Sequence, residues 1–525
     1  MFSATVRFGS TAAFVVFELW EVDMSVRFVS KFVAGVATVA FASSSLLVSD
    51  GSSGASPRSS GVVMHPTVAE YTQLTKSQTP PTEAQCVSAG RRCFTPAGVR
   101  AAYDIQPLYD RGFTGRGITI AIVDSFGSDT MAHDLHVYDQ AFGMQPMCGE
   151  EAVVCVSGMP TFTELHVQGS PATKAPPPTA KSPGMEAKSA WALEVALDVE
   201  TAHSIAPMAN ILLVTTPTAE TLGVQGFPDM MNAEQYVVDH HLANIISQSF
   251  ASAEEAFGSA NSLQQLRHAF VSAAQSGVTV LGSSGDGGTA NSRKSPVGGP
   301  NAGPTIPFPT VVWPASDPLV TGVGGTYLCT DPAASTRLVD SVDPPGKCRA
   351  NPGQAEVGWT FSGGGYSHVF AKPAYQNSLP AGSTPIAAMR GVPDIALQAS
   401  AGTGGLVYLT LPPDGLSGLI CGSTPCSTGW YDIGGTSLSA PQWAGLVAIA
   451  DQINGGGLGL INPALYKLAA DPTAYAKDFN DITVGNNTAD PTIPGYPATT
   501  GWDPITGLGT PNAAQLLPAL VAASH

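Results

Sequence analysis

The chain has 525 residues, 43% hydrophobic and 12% charged, which is enough apolar material for a large core and, by length alone, for about three or four domains. It carries 40 Asp and Glu against 23 Lys and Arg, a formal net charge of −17. No basic run relieves that acidity, so a nucleic-acid partner is excluded, and the expected partners are polypeptides met by a monomer.

From Met24, Arg27 and Lys31 precede an apolar run, and Ala40-Phe41-Ala42 offers small residues at cleavage spacing. This is a secretory pattern, so residues 1–49 are expected to be a signal or targeting segment, with translation starting at Met24 and a secreted product. The run is short and broken by serines, so no stable membrane span is expected; a retained anchor is the alternative. The eight cysteines agree with export. They form four close sequential pairs, Cys86 with Cys93, Cys148 with Cys155, Cys329 with Cys348 and Cys421 with Cys426, none at zinc-knuckle spacing. Four local disulfides in an oxidising compartment are the simplest reading, and free buried thiols the alternative.

Residues 50–94 are rich in Ser, Gly, Pro and Thr and read as a linker or short pro-segment, with order beginning near residue 95. Residues 117–124, GITIAIVD, form an apolar β-branched run that predicts a buried strand. A helix is expected over 132–142; residues 148–188 hold a cysteine pair and the run PATKAPPPTAKSPG, 171–184, which is expected to be an exposed loop. A helix at 189–206, a strand at 210–216, a helix over AEQYVVDHHL, a strand at 244–250, a helix at 262–277 and a strand at 278–286 follow. Strands alternating with helices predict an α/β fold, a doubly wound, mostly parallel sheet with helices on both faces. Such sheets place their sites at the carboxyl ends of strands, where Asp286 falls.

In IGGTSLSAPQWAG, residues 433–445, Ser437 follows a Gly-Gly-Thr turn and opens a helix. A hydroxyl in that setting is a candidate nucleophile, but it needs a base to take its proton. Gly-Thr-Ser-x-x-x-Pro is shared with subtilisins, and Asp124 in AIVDSFG resembles their aspartate strand. The subtilisin His-Gly-Thr helix is missing: His203 in ETAHSIAP lacks the Gly-Thr and is expected to meet carbonyls at a helix end. In its place stands WALEVALDVE. Glu194 and Asp198 are four apart and share a helix face with apolar flanks. A solvated acidic stripe is one reading. Burial gives the other, a carboxyl pair that shares a proton, with Glu194 as the base and Asp198 orienting it. Asp286, in VLGSSGDGG, supplies an oxyanion donor if it is protonated.

These residues, with EVALD (194–198), SGD (284–286), FPTVVWPASDPLVTGVGGT (308–326), SGGGYS (362–367), VPDIAL (392–397) and GGTSLSAP (434–441), resemble the sedolisins, serine-carboxyl peptidases with a subtilisin-like fold. The resemblance covers about residues 95–520, so 95–525 is expected to be a peptidase domain with a carboxy-terminal calcium-binding region. It implies a Ser437–Glu194–Asp198 set with Asp286 as the oxyanion acid. Four features depart from the family: Ser247-Gln248-Ser249-Phe250-Ala251 replaces Ser-x-Ser-Trp-Gly, the stretch before residue 95 is shorter than the usual pro-domain, the 148–188 insertion is longer than expected, and Thr499 stands where the family usually has Gly. The family's single Ca²⁺, carried over by position, would be held by the side chains of Asp481 and Asp503 and the backbone oxygens of Ile482, Thr499 and Gly501. Two Asx turns without metal are the alternative.

The function these readings imply is a secreted, acid-active serine-type endopeptidase. Its rivals are a tripeptidyl-releasing or subtilisin-like peptidase on the same fold and a catalytically silent secreted binding protein. A histidine base fails below about pH 6.5, whereas an unperturbed carboxylate ionises near 4, so a bell-shaped profile with its maximum between roughly pH 3 and 5.5 is expected.

Overall fold

The run Thr119–Ser125 lies at the centre of the main sheet, and its residues explain why. Ile120 and Ile122 enter one apolar core while Ala121 and Val123 enter another, and none of the four has exposed surface. A strand buried on both faces needs helices above and below it. The computed structural model that shows this describes residues 65–66, 70–177, 179, 188–218, 226–293, 304–341, 344–412 and 417–525. All of these belong to one unit, Arg58–His525. The expected signal segment and the first part of the expected linker lie outside the described residues.

The sheet runs in the order Glu356–Gly358, Thr321–Leu328, Thr279–Ser283, Ile245–Gln248, Thr119–Ser125, Asn210–Thr216, Phe162–Gln168 and Thr173–Lys174, with Ile395–Gln398 also paired to Thr321–Leu328. Every pairing from Thr321–Leu328 through Phe162–Gln168 is parallel, as is that of Ile395–Gln398; the short outer strands Glu356–Gly358 and Thr173–Lys174 pair antiparallel. The doubly wound, subtilisin-like class is therefore observed. Helices Lys188–Ile205 and Thr436–Asn454 pack on each other within one core, and Gly226–Asp239 and His268–Ser276 lie in the other. The first pair crosses closely because of Gly445. A Cβ there would stand 2.6 Å from the Ile205 Cβ and 3.0 Å from the Ala202 carbonyl oxygen.

Two expectations need correction, and one strand carried no expectation: within 148–188, Phe162–Gln168 is a strand of the main sheet beside Asn210–Thr216. Its exposed Thr163 and Glu164 break the apolar run that marks a buried strand, because only one neighbour beyond it, a two-residue strand, covers that edge. The helix at 262–277 is two, Ala260–Gln264 and His268–Ser276, separated by a turn. Order also begins before residue 95. Glu70–Thr75 pairs antiparallel with Gly429–Gly434, and Glu83–Ser88 is a helix whose Thr82 and Gln85 form a reciprocal capping box. Upstream, His65–Pro66 pairs antiparallel with Phe250–Ala251.

All four neighbouring cysteine pairs are disulfides, and no cysteine is free. Among the described residues, no helix is long and apolar enough to cross a membrane.

Candidate active site

The site lies where strand order reverses. Thr119–Ser125 leads in sequence toward one side of the sheet and has Ile245–Gln248 on the other. Crevices form at the carboxyl ends of strands at such switch points. Asp124, Ser249 and Asp286 all stand at or just past these ends, and none has more than 2% exposure.

Ser437 sits in the first turn of Thr436–Asn454 and is fully buried. Gly435 caps this helix at φ 144°, a conformation that side chains oppose, and a Cβ on Gly434 would meet the Ala401 nitrogen at 2.1 Å. The two glycines therefore let the chain reverse sharply into the helix.

Glu194 and Asp198 project from the facing helix one turn apart, both with no exposed surface. Burial pushes Glu194 well above the usual carboxylate range, and Asp198, Asp124 and Asp286 push it further, while a hydrogen bond with Ser437 opposes them. Asp198 is raised by burial and by Asp124, and a hydrogen bond from Ser249 Oγ to its Oδ1 at 3.0 Å opposes the rise. Asp124 is pushed up to about 8 by burial alone. The charges that act on Glu194 are thus all carboxyls, and a group of this kind holds its protons in common. Asp286 closes the other side: its Oδ1 accepts from the Thr436 N–H at 2.7 Å and the Thr436 hydroxyl at 2.9 Å. Beside it opens a cavity of about 620 Å³ walled by Trp359, Phe361 and Pro491, large enough for a side chain of a bound polypeptide.

The structure therefore gathers Ser437, Glu194, Asp198 and Asp286 at one place. His203 is elsewhere, with its Nε2 3.1 Å from Asp139 Oδ2 and both residues buried, so its partner is a carboxylate and not the carbonyls expected from its place near a helix end.

No family model matches the chain. It is 32% identical over 444 residues to kumamolisin of Bacillus sp. (strain MN-32), an alignment covering 84% of this chain and 66% of that protein. The chain belongs to the sedolisin family. It is also 31% identical over 298 residues to sedolisin of Pseudomonas sp. (strain 101), covering 55% of this chain and 43% of that one. To tripeptidyl-peptidase SED1 of Arthroderma otae it is 32% identical over 302 residues, with coverages of 53% and 40%. The chain thus spans less than two thirds of the length of these relatives. In fold it is similar to a solved structure of Pseudomonas sedolisin (serine-carboxyl proteinase) complexed with two molecules of pseudo-iodotyrostatin. The TM-score is 0.60 at 24% identity, over 83% of this chain and all of that one.

Two residues of this sedolisin-family site escape a reading by spacing. Asp124 is a single acid at a strand end, and Ser249 a single serine after another; only the fold brings them to Asp198. A likeness to the subtilisin aspartate strand was the one signal for Asp124.

Farther along the chain, Asp481 and Asp503 both act on the Tyr475 hydroxyl, which donates to Asp481 Oδ1 at 3.1 Å. The backbone N–H of Gly501 points to Asp481 at 3.1 Å, and that of Thr499 to Asp503 Oδ2 at 3.2 Å. The side-chain ligands inferred from the family thus lie together with the loop that carries Thr499 and Gly501, and Ile482 is buried next to Asp481. Burial pushes Asp503 up to about 7. Among the described residues there is no group of three or more His, Cys, Asp or Glu that could hold a metal, so any cation here depends on backbone oxygens.

The VPDIAL motif proves structural. Asp394 takes a two-pronged contact from Arg390, at 2.7 and 3.0 Å, with both side chains fully buried. Arg390 also donates to the carbonyls of Ala315, Ser316 and Val320, and so ties this motif to WPASDPLV.

Proposed function

We propose that this chain is an acid-active serine-carboxyl peptidase that cleaves polypeptides. Ser437 Oγ attacks the scissile carbonyl while Glu194 takes its proton and later passes it to the leaving amine. Asp198 shares the proton of the pair and orients Glu194. Asp286, protonated, donates a hydrogen bond to the oxyanion. The observation that carries this reading is the all-carboxyl surround of Glu194 at Ser437: buried acids keep their protons at low pH, and one ionised member of the pair suffices as base. Hydrolysis of denatured protein measured from pH 2 to 9 tests it. The wild-type chain should be most active in acid, and Ser437→Ala should be inactive with an unchanged circular dichroism spectrum. A maximum near pH 8 would overturn the carboxylate base.

Tripeptidyl release is the second reading, favoured by the name of the Arthroderma relative. Peptides with blocked and free amino termini separate the two: endopeptidase action cleaves both, whereas tripeptidyl release needs the free terminus.

A calcium ion fits the carboxy-terminal loops, where the buried Asp503 carboxyl accepts from the N–H groups of Thr499, Ile505 and Thr506 but meets no cationic side chain among the described residues. The Asp481 and Asp503 carboxylates with the backbone oxygens of Ile482, Thr499 and Gly501 make a hard, all-oxygen set of the kind calcium takes. The ion would neutralise these carboxylates and hold the loops together. Secretion is supported by the four disulfides.

A further inference from the structure

We propose that Thr436 is a positioning residue that fixes which oxygen of Asp286 carries the acid proton, an inference that rests on the peptidase reading above. A threonine hydroxyl has one proton to give. The Gly285 N–H donates to Thr436 Oγ1 at 3.0 Å, and the hydroxyl proton goes to Asp286 Oδ1 at 2.9 Å. The Thr436 N–H reaches that same oxygen at 2.7 Å. Two donors converge on Oδ1, so a proton placed there would face both of them. The acid proton therefore resides on Oδ2, and Oδ2 is the oxygen offered to the developing oxyanion.

Thr436 directly precedes Ser437. One residue thus sets the orientation of the acid and stands next to the nucleophile it serves. The same contacts carry a second consequence. Hydrogen bonds to a carboxylate favour its ionised form, so Thr436 also lowers the pH at which Asp286 loses its proton. Without the hydroxyl, only the backbone N–H of residue 436 still marks Oδ1, so the carboxyl turns over more readily, and its proton is held to higher pH.

The test compares Thr436→Val, Thr436→Ser and Asp286→Asn over the full pH range. Thr436→Val should lower kcat at least about tenfold with KM within about twofold, and should move the alkaline limb to higher pH. Thr436→Ser keeps the hydroxyl and should restore both. In an Asp286→Asn background the limb should vanish, while the kcat loss from Thr436→Val persists, because an amide can turn over too. A kcat loss with an unmoved alkaline limb would mean that Thr436 only supports the fold, and would overturn the proposal, as would failure of Thr436→Ser to rescue. If the wild-type chain hydrolyses nothing at any pH, the peptidase reading fails by itself. The positioning is then decided by the ¹³C carboxyl shift of Asp286 in a Ser437→Ala background. Its titration midpoint should be higher in Thr436→Val than in Thr436→Ser; equal midpoints overturn the proposal.

Discussion

Ser249 Oγ donates to Asp198 Oδ1 at 3.0 Å across the gap between a strand end and the helix Lys188–Ile205, with neither residue exposed. Among the described residues, that bond pulls the Asp198 carboxyl down while burial and Asp124 push it up. Its removal has a definite sign. Ser249→Ala should raise the Asp198 pKa, make the Glu194–Asp198 pair harder to ionise, and move the acid limb of the activity profile to higher pH. A shift of about half to one unit is expected from a single lost hydrogen bond, with a several-fold loss of kcat. pH–rate profiles of the two proteins check it.

The buried acids also make stability depend on pH. Burial pushes Asp134 up to about 6 and Asp124 and Glu150 up to about 8, and raises Glu200 and Glu234 as well. A carboxyl raised in the folded state binds more protons folded than unfolded. Its contribution is therefore complete below the ordinary carboxylate range, near 4, and is lost as pH rises through the folded value. The melting temperature should be highest near pH 4 and fall steadily between about pH 5 and 8.

Glu234 isolates this effect. It is fully buried on Gly226–Asp239, apart from Glu194 and Asp198; among the described residues neither oxygen has a hydrogen-bond partner, and burial raises it. Glu234→Gln cannot ionise, so its melting curve should depend less steeply on pH, by about one proton, in the same window. Calorimetry at five or six pH values would show whether the two slopes differ.

Chelation should lower the melting temperature, and Asp503→Ala should do so without chelator and then respond little to it. A ligand bound only by the folded chain stabilises by mass action. Metal analysis before and after chelation, beside the melting curves, checks the site directly.

Arg390→Met should destabilise the fold by about 3–5 kcal/mol, because it leaves the buried Asp394 carboxylate without its cation. Denaturant unfolding in the Ser437→Ala background measures this without self-digestion. Activity per folded molecule should change little, since neither residue reaches the catalytic carboxyls.

Where the sequence was legible, one element supplied both position and chemistry. Glu194 and Asp198 are a helical turn apart on an apolar helix, so spacing alone puts them on one face. Ser437 is announced by the glycines its sharp turn requires. The strand at 119–125 was plain because both its faces are buried. Asp124 showed only as a likeness to the subtilisin aspartate strand, and the roles of Ser249 and Thr436 not at all, because each meets its partner only through strands and helices far apart in sequence. Phe162–Gln168 and Glu70–Thr75 share a different difficulty. Both are polar strands near the margins of sheets, where exposed Thr, Glu and Gln dilute the apolar pattern.

The pairing of Glu70–Thr75 with Gly429–Gly434 bears on where the catalytic unit can be cut. Gly434 and Gly435 are the turn that delivers Ser437, and Glu70 is the partner of Gly434. A chain trimmed to residue 95, where composition alone would place the boundary, loses the strand that buttresses this turn. It also loses the Cys86–Cys93 bridge. The stretch that looks like packaging is thus a wall of the proposed site, and shortening it should cost turnover before it costs the fold.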